Sequence, residues 1–92
     1  HVNAVGANRA GRRELASEVV LASALTVVDD LEQARTEAGD LLEVPGLDWG
    51  PLVPLASLVA APPARRPPRT LFKSLGVAIE DLAAAAHVLQ LL

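Results

Sequence analysis

The chain has 92 residues, enough for one domain at most, and a chain of that size buries only about 60–65% of its unfolded surface. Half of the residues are hydrophobic (51%), yet Trp49 and Phe72 are the only aromatics, so a core must be built from Leu, Val and Ala, which suits helices packed on a small sheet. The formal net charge of −3 argues against sequence-independent nucleic-acid binding, the lack of cysteine excludes disulfides, thiolate metal sites and a Cys nucleophile, and prolines 51, 54, 62 and 63 break up the most apolar stretch before it reaches the roughly 18 residues of a membrane span.

Residues 2 to 7 of the opening HVNAVGAN combine Val, Ala and Gly with little polarity, the pattern of a parallel strand covered on both faces, and Gly6 is placed to permit a tight turn. Because the chain opens inside that strand on His1, it is expected to be a piece of something longer. Arg9, Arg12 and Arg13 follow the strand, where its tip would present them to an anion; nine of the eleven acidic residues lie between 14 and 48. Glu14 to Ser23 carries Leu15, Val19 and Ala22 at helical spacing, with Ser17 a candidate N-cap. Leu25 to Val28 is a second apolar run, rich in β-branched residues and closed by Asp29 and Asp30.

Asp30-Leu31-Glu32-Gln33 has the form of a capping box, opening a helix that Gly39 can close. Strand, helix, strand, helix in this order predicts a parallel sheet with right-handed crossovers, hence part of a doubly wound α/β domain. From Asp40 to Arg69 the signal weakens: Pro45-Gly46 and Gly50-Pro51 mark turns, Leu52 to Ala60 suits a short helix, and APPARRPPR is a loop. The last stretch, TLFKSLGVAIEDLAAAAHVLQLL, reads as one long helix with Phe72, Leu75, Ile79, Leu82, Ala86 and Leu89 on one stripe, apolar enough on its other side to be buried against more than one neighbour. Lys73 falls among the few residues left for solvent. His1 and His87 are too isolated to suggest a metal site, and no Ser-His-Asp or paired-carboxylate arrangement stands out.

Three stretches in order, HVNAVGAN with its continuation RAGRREL, then VVDDLEQARTEAGDL, then TLFKSLGVAIEDLAAA, resemble the C-terminal half of the ornithine cyclodeaminase and mu-crystallin family. Residues 45 to 69 match that pattern poorly. The resemblance implies a Rossmann-type NAD(P)-binding domain whose C-terminal portion is residues 1–69, followed by a C-terminal helix, residues 70–92, returning to a substrate and dimerisation domain. It implies a homodimeric, cytoplasmic enzyme using NAD or NADP on a small amino-acid or imine substrate, with neither nucleic acid nor membrane as partner. It also places a glycine fingerprint for the pyrophosphate upstream of His1.

By the same resemblance Val5, Gly6 and Ala7 contact the nicotinamide half of the cofactor through backbone groups, and Ser74 meets it from the mouth of the last helix. Leu75 and Arg12 face the substrate, Arg12 standing where the family has a Lys. Asn8 matches an Asp that acts as general base in ornithine cyclodeaminases. An amide cannot take up that proton, so Asn8 favours reduction of a ketimine, or reversible amino-acid dehydrogenation of the alanine dehydrogenase type, over cyclodeamination of ornithine. A crystallin-like protein that binds without turnover is the alternative from another class. Plainer readings stand beside these: Gly6 as a mere turn glycine, Asn8 as a turn residue in a left-handed conformation, Arg12 as a salt-bridged surface residue, Ser74 as a helix cap.

Overall fold

A computed structural model describes all residues from His1 to Leu92. Its strands are β1 (Val2–Ala4), β2 (Leu25–Val28), β3 (Val53–Pro54) and β4 (Thr70–Lys73), and its helices α1 (Ser17–Leu21), α2 (Leu31–Glu37), α3 (Gly39–Leu42), α4 (Leu55–Ala60) and α5 (Ala78–Leu91). All strand pairs are parallel, in the spatial order β1-β4-β2-β3, as the alternating pattern requires.

The register assigns the two faces. Val2↔Leu71, Ala4↔Lys73 and Val28↔Lys73 put Ala4, Val28, Leu71 and Lys73 on one face. There the apolar members pack with Val20 of α1, Ala34 of α2, Ala38, Leu41 of α3, Val44 and Leu52 in a single core cluster. The other face carries Leu25, Val27 and Thr70, which line a cleft with Leu58 of α4 and Pro62, Pro63 and Pro67 of the following loop. This division has a topological cause. The steps from β1 to β2 and from β2 to β3 move one way across the sheet, whereas the step from β3 to β4 turns back, so crossovers of one hand must place α4 on the opposite face from α1 to α3.

The termini of α2 follow from short-range chemistry. Asp30 caps it, its carboxylate accepting the Gln33 N–H at 2.7 Å, but Gln33 does not complete the box: its amide donates to Glu37 at 3.0 Å and to the Gly76 carbonyl at 3.2 Å instead. Gly39 does not end α2 in a left-handed cap. It opens α3, and a Cβ there would stand 2.0 Å from the Arg12 carbonyl oxygen, so this glycine lets two backbones touch. In α1, five residues long, Val20 is the buried residue, not Val19 or Ala22; Ala16 occupies the N-cap and Ser17 provides no capping bond.

The largest departure from the sequence pattern lies at 70–77. Thr70–Lys73, read as the first turn of the terminal helix, is the strand between β1 and β2, hydrogen-bonded on both sides. Phe72 and Leu75 therefore share no helical stripe with Ile79. Strand pairing satisfies every ladder group of a β-competent Thr-Leu-Phe-Lys run, and Gly76, at φ +77°, interrupts any helix running through it. Helix α5 starts only at Ala78, and no residue of it is buried: Ile79 reaches α4 at the helix start but stays exposed, as do Leu82, Val88 and Leu89. No helix is long and apolar enough to cross a membrane.

Candidate functional site

Two turns lie side by side at the carboxyl edge of the sheet. One leaves β1 through Val5, Gly6, Ala7 and Asn8; the other leaves β4 through Ser74, Leu75 and Gly76. Since Ala4 pairs with Lys73 and the Ser74 N–H donates to the Ala4 carbonyl at 3.0 Å, the first residue of each turn stands next to the other. The chains then part. The β1 turn leads to α1 on one face, while Val77 and Ile79 run beside Leu55 and Val59 of α4 on the other. Where the connections of neighbouring parallel strands depart to opposite faces, open α/β sheets bind ligands just outside the carboxyl ends of those strands.

Each turn is built around one carboxylate. After β4 the organiser is Asp29, the first residue beyond β2. Its Oδ2 accepts the Ser74 hydroxyl at 3.0 Å, the Leu75 N–H at 2.6 Å and the Gly76 N–H at 2.9 Å, while Oδ1 is buried without a hydrogen-bond partner. Ser74 is thus oriented by Asp29 and does not cap α5, whose N-cap is Val77. Leu75, half-buried, packs against the core cluster. After β1 the organiser is Glu14, whose Oε1 accepts the Gly6 N–H at 2.8 Å and lies 3.5 Å from the Ala7 nitrogen. A Cβ on Gly6 would come within 2.6 Å of Glu14 Oε2, and Gly6 does not have a positive φ. The residue is glycine to admit the Glu14 carboxylate, not to adopt a left-handed turn.

This arrangement decides which groups of the tip are free. The Gly6 and Ala7 N–H groups point inward at Glu14, whereas the carbonyls of Val5 and Gly6 accept no hydrogen bond within the chain. Asn8 is exposed, its side chain makes no hydrogen bond, and its φ is not positive, so it is not a left-handed turn residue. Arg12 is exposed and forms no ion pair; the salt bridge of the basic loop belongs to Arg13, 3.7 Å from Glu43. The Ser74 N–H bond to Ala4 sets Ser74 beside the start of the Val5–Asn8 turn, Leu75 follows it against the core cluster, and Arg12 stands further along the loop that leaves the first turn.

The sequence reading missed the residues beneath the tips. Lys73, assigned there to solvent, is fully buried, with Nζ 2.9 Å from Asp40 Oδ2 and 3.7 Å from Glu14 Oε1. Asp29, Glu14 and Asp40 read as ordinary charges. The one available signal was the position of Lys73 in an otherwise apolar TLFK run, which once taken as a strand puts the lysine on the same face as Leu71.

The model of the ornithine cyclodeaminase/mu-crystallin family matches residues 1–91. Among curated proteins, the chain is 44% identical over 89 residues to the ketimine reductase mu-crystallin of Mus musculus, covering 96% of this chain and 27% of that protein. It is 46% identical over 80 residues to Delta(1)-pyrroline-2-carboxylate reductase 1 of Burkholderia multivorans, covering 87% of this chain and 25% of that one. Among solved structures, the crystal structure of a probable ornithine cyclodeaminase from Bordetella pertussis Tohama I superposes with a TM-score of 0.76 at 36% identity, over 90% of this chain and 28% of the other. The chain thus spans about a quarter of the length of these relatives. With the family model matching from one end to the other, and the sheet of a solved relative reproduced, the chain belongs to the ornithine cyclodeaminase/mu-crystallin family.

Proposed function

We propose that the space between the two turns receives the nicotinamide half of NAD or NADP, and that the native protein is an oxidoreductase reducing the C=N bond of a small cyclic imine acid. The observation that carries this reading is the hydrogen bond from Ser74 N–H to the Ala4 carbonyl, which sets the two turns of the family pattern against one another. The curated relatives just described, a ketimine reductase and a pyrroline-carboxylate reductase by name, supply the reaction class.

The residues present suit a planar, amide-bearing ligand. The unpartnered carbonyls of Val5 and Gly6 can accept from a carboxamide, Ala7 adds only a methyl group, and Ser74 presents a hydroxyl whose proton is directed to Asp29. NAD(P)H, when bound, supplies the hydride. Reduction places a hydride on the imine carbon and a proton on its nitrogen; with the substrate bound as its N-protonated iminium that proton comes from solvent, and the protein's part is to hold the imine carbon over the ring. Asn8 can orient the imine nitrogen or a water by hydrogen bonding, Leu75 forms an apolar wall, and the unpaired Arg12 attracts the substrate carboxylate. Because Asn8 cannot serve as a base, cyclodeamination of ornithine is the weaker reading. A homodimer belongs to the same proposal.

The test is consumption of NADH or NADPH by the native protein with cyclic ketimine acids, with pyruvate plus ammonia, and, in the reverse sense, reduction of NAD by alanine. Oxidation of the reduced cofactor with a cyclic imine at a rate well above that with pyruvate and ammonia is expected. Ornithine consumption as fast as imine reduction refutes the assignment of Asn8, and cofactor binding without turnover of any of these substrates leaves a binding protein.

A further inference from the structure

Lys73 is the largest fully buried side chain, and nothing in the proposed chemistry uses it. An ammonium withdrawn from water is costly, and a well-packed apolar side chain would fill the same space at less cost. Its contacts therefore indicate what the charge is for. Nζ donates to the carbonyl of Ala7 and, at 3.4 Å, to that of Ala4. Asp40 Oδ2, itself fully buried, lies 2.9 Å away but off the axis of a hydrogen bond, so that contact is an ion pair; Glu14 Oε1 is a second, more distant counter-charge at 3.7 Å.

Both carboxylates are engaged a second time. Asp40 Oδ1 accepts the N–H groups of Glu14 at 2.7 Å and Leu15 at 2.8 Å, fixing the far end of the loop that leaves β1. Glu14 in turn holds the Gly6 N–H. The turn is gripped from both polarities, its Gly6 amide proton by Glu14 and its Ala7 carbonyl by Lys73. The Ala7 carbonyl shares a peptide plane with the Asn8 N–H, so the ammonium fixes the plane from which Asn8 projects. A methionine of similar length could fill the volume but could not hold that carbonyl.

We propose that Lys73 is a positioning residue, acting through the Ala7–Asn8 peptide to hold Asn8 and the Val5–Gly6 carbonyls in the orientation that hydride transfer requires. This rests on the reading of the space between the turns as the nicotinamide site, and the experiment separates the two.

In the native full-length protein, Lys73→Met combined with Asp40→Asn removes both buried charges while leaving an amide oxygen for the Glu14 and Leu15 N–H groups. The melting temperature, kcat, the KM values for imine and cofactor, and amide hydrogen exchange are measured. The expected result is a melting temperature within a few degrees of the parent, KM for imine and cofactor within twofold, kcat at least tenfold lower, and exchange of the Gly6 amide, which the turn holds on Glu14, at least tenfold faster while the Val27 and Val28 amides are unchanged. Parental kcat with parental Gly6 exchange overturns the proposal. So does a loss of protection spread equally over β2 and β4, which would make Lys73 a stabiliser only. Should the double variant not fold, Lys73→Arg keeps a charge beside Asp40 while the broader guanidinium cannot occupy the same place against Ala7. A fall in kcat at constant KM with faster Gly6 exchange then supports the proposal, and no change in either overturns it. If the parent protein reduces no imine, the functional reading fails, and the exchange measurement still decides whether Lys73 sets the peptide.

Discussion

Replacement of Asp29 by alanine tests the most concentrated set of hydrogen bonds at the site. One carboxylate oxygen accepts the Ser74 hydroxyl, the Leu75 N–H and the Gly76 N–H. Hydrogen bonds to a charged acceptor contribute about 1.5–3 kcal/mol each where the donor is withdrawn from water, but Gly76 is exposed and its N–H would turn to solvent. Most of the loss falls on the half-buried Leu75 N–H and Ser74 hydroxyl, giving about 2–3 kcal/mol after discounting for partial exposure. A domain of this size has a total stability of about 5–14 kcal/mol, so the variant removes a substantial share of it. At about 4–8 °C per kcal/mol, melting drops by roughly 10–20 °C. Asp29→Asn, which retains one accepting oxygen of similar shape, loses about 1 kcal/mol. Urea titration followed by the fluorescence of Trp49, which packs on the core cluster beneath α1 to α3 with its ring 5.6 Å from the Arg35 guanidinium, measures both. A shift below about 0.5 kcal/mol for Asp29→Ala, within the range of ordinary surface substitutions, would show that the three contacts are not what shapes this turn.

Three other substitutions discriminate between parts of the account. Gly39→Ala places a methyl carbon 2.0 Å from the Arg12 carbonyl oxygen, a backbone atom that cannot swing aside, and is expected to cost about 3 kcal/mol in denaturant titration; parental stability would mean that the two backbones are not in contact. Gly6→Ala meets only the flexible end of Glu14, at 2.6 Å, so stability falls by about 1 kcal/mol while hydrogen exchange at the Gly6 and Ala7 positions accelerates; unchanged exchange would refute the role given to Glu14. Asn8→Asp supplies the carboxylate that the native tip lacks, and ammonia release from ornithine with NAD should then rise above that of the parent; equal rates in both would show that position 8 does not decide the reaction.

The sheet was legible where strand and helix signals were local. Leu25–Val28 is a strand with the bounds its β-branched run suggests, and Asp30 caps the helix that its spacing announces. Thr70–Lys73 was not legible, because a four-residue strand that lies between two others owes its conformation to partners 45 and 69 residues away in sequence, which no local periodicity records. The apolar positions of β4 happened to fall in phase with those of α5. The same long-range cause hid the support of the site. Glu14, Asp29, Asp40 and Lys73 have no common spacing, and only the folding of β4 between β1 and β2 gathers them under the two turns. The stretches that form the two turns stood out by resemblance to a family pattern, since each is continuous in the chain.

The charge balance beneath the tips bears on why an amide at position 8 is compatible with this frame. Lys73 is the only cation there and faces two carboxylates, Asp40 at 2.9 Å and Glu14 at 3.7 Å, with Asp29 a third acid under the neighbouring turn. The local sum is already negative before Asn8 is reached. A carboxylate at position 8 would add a further acid beside that cluster, and with it a side chain able to accept a proton. That suits a base, which must be able to take a proton, and it does nothing for a group needed only to orient an imine. With a neutral amide the tip carries no group that must change protonation during turnover, so its contribution reduces to geometry. Geometry is what the grip of Lys73 and Glu14 on the turn provides, and an enzyme relying on position alone should be more sensitive to loosening of that grip than to removal of any single polar group at the tip.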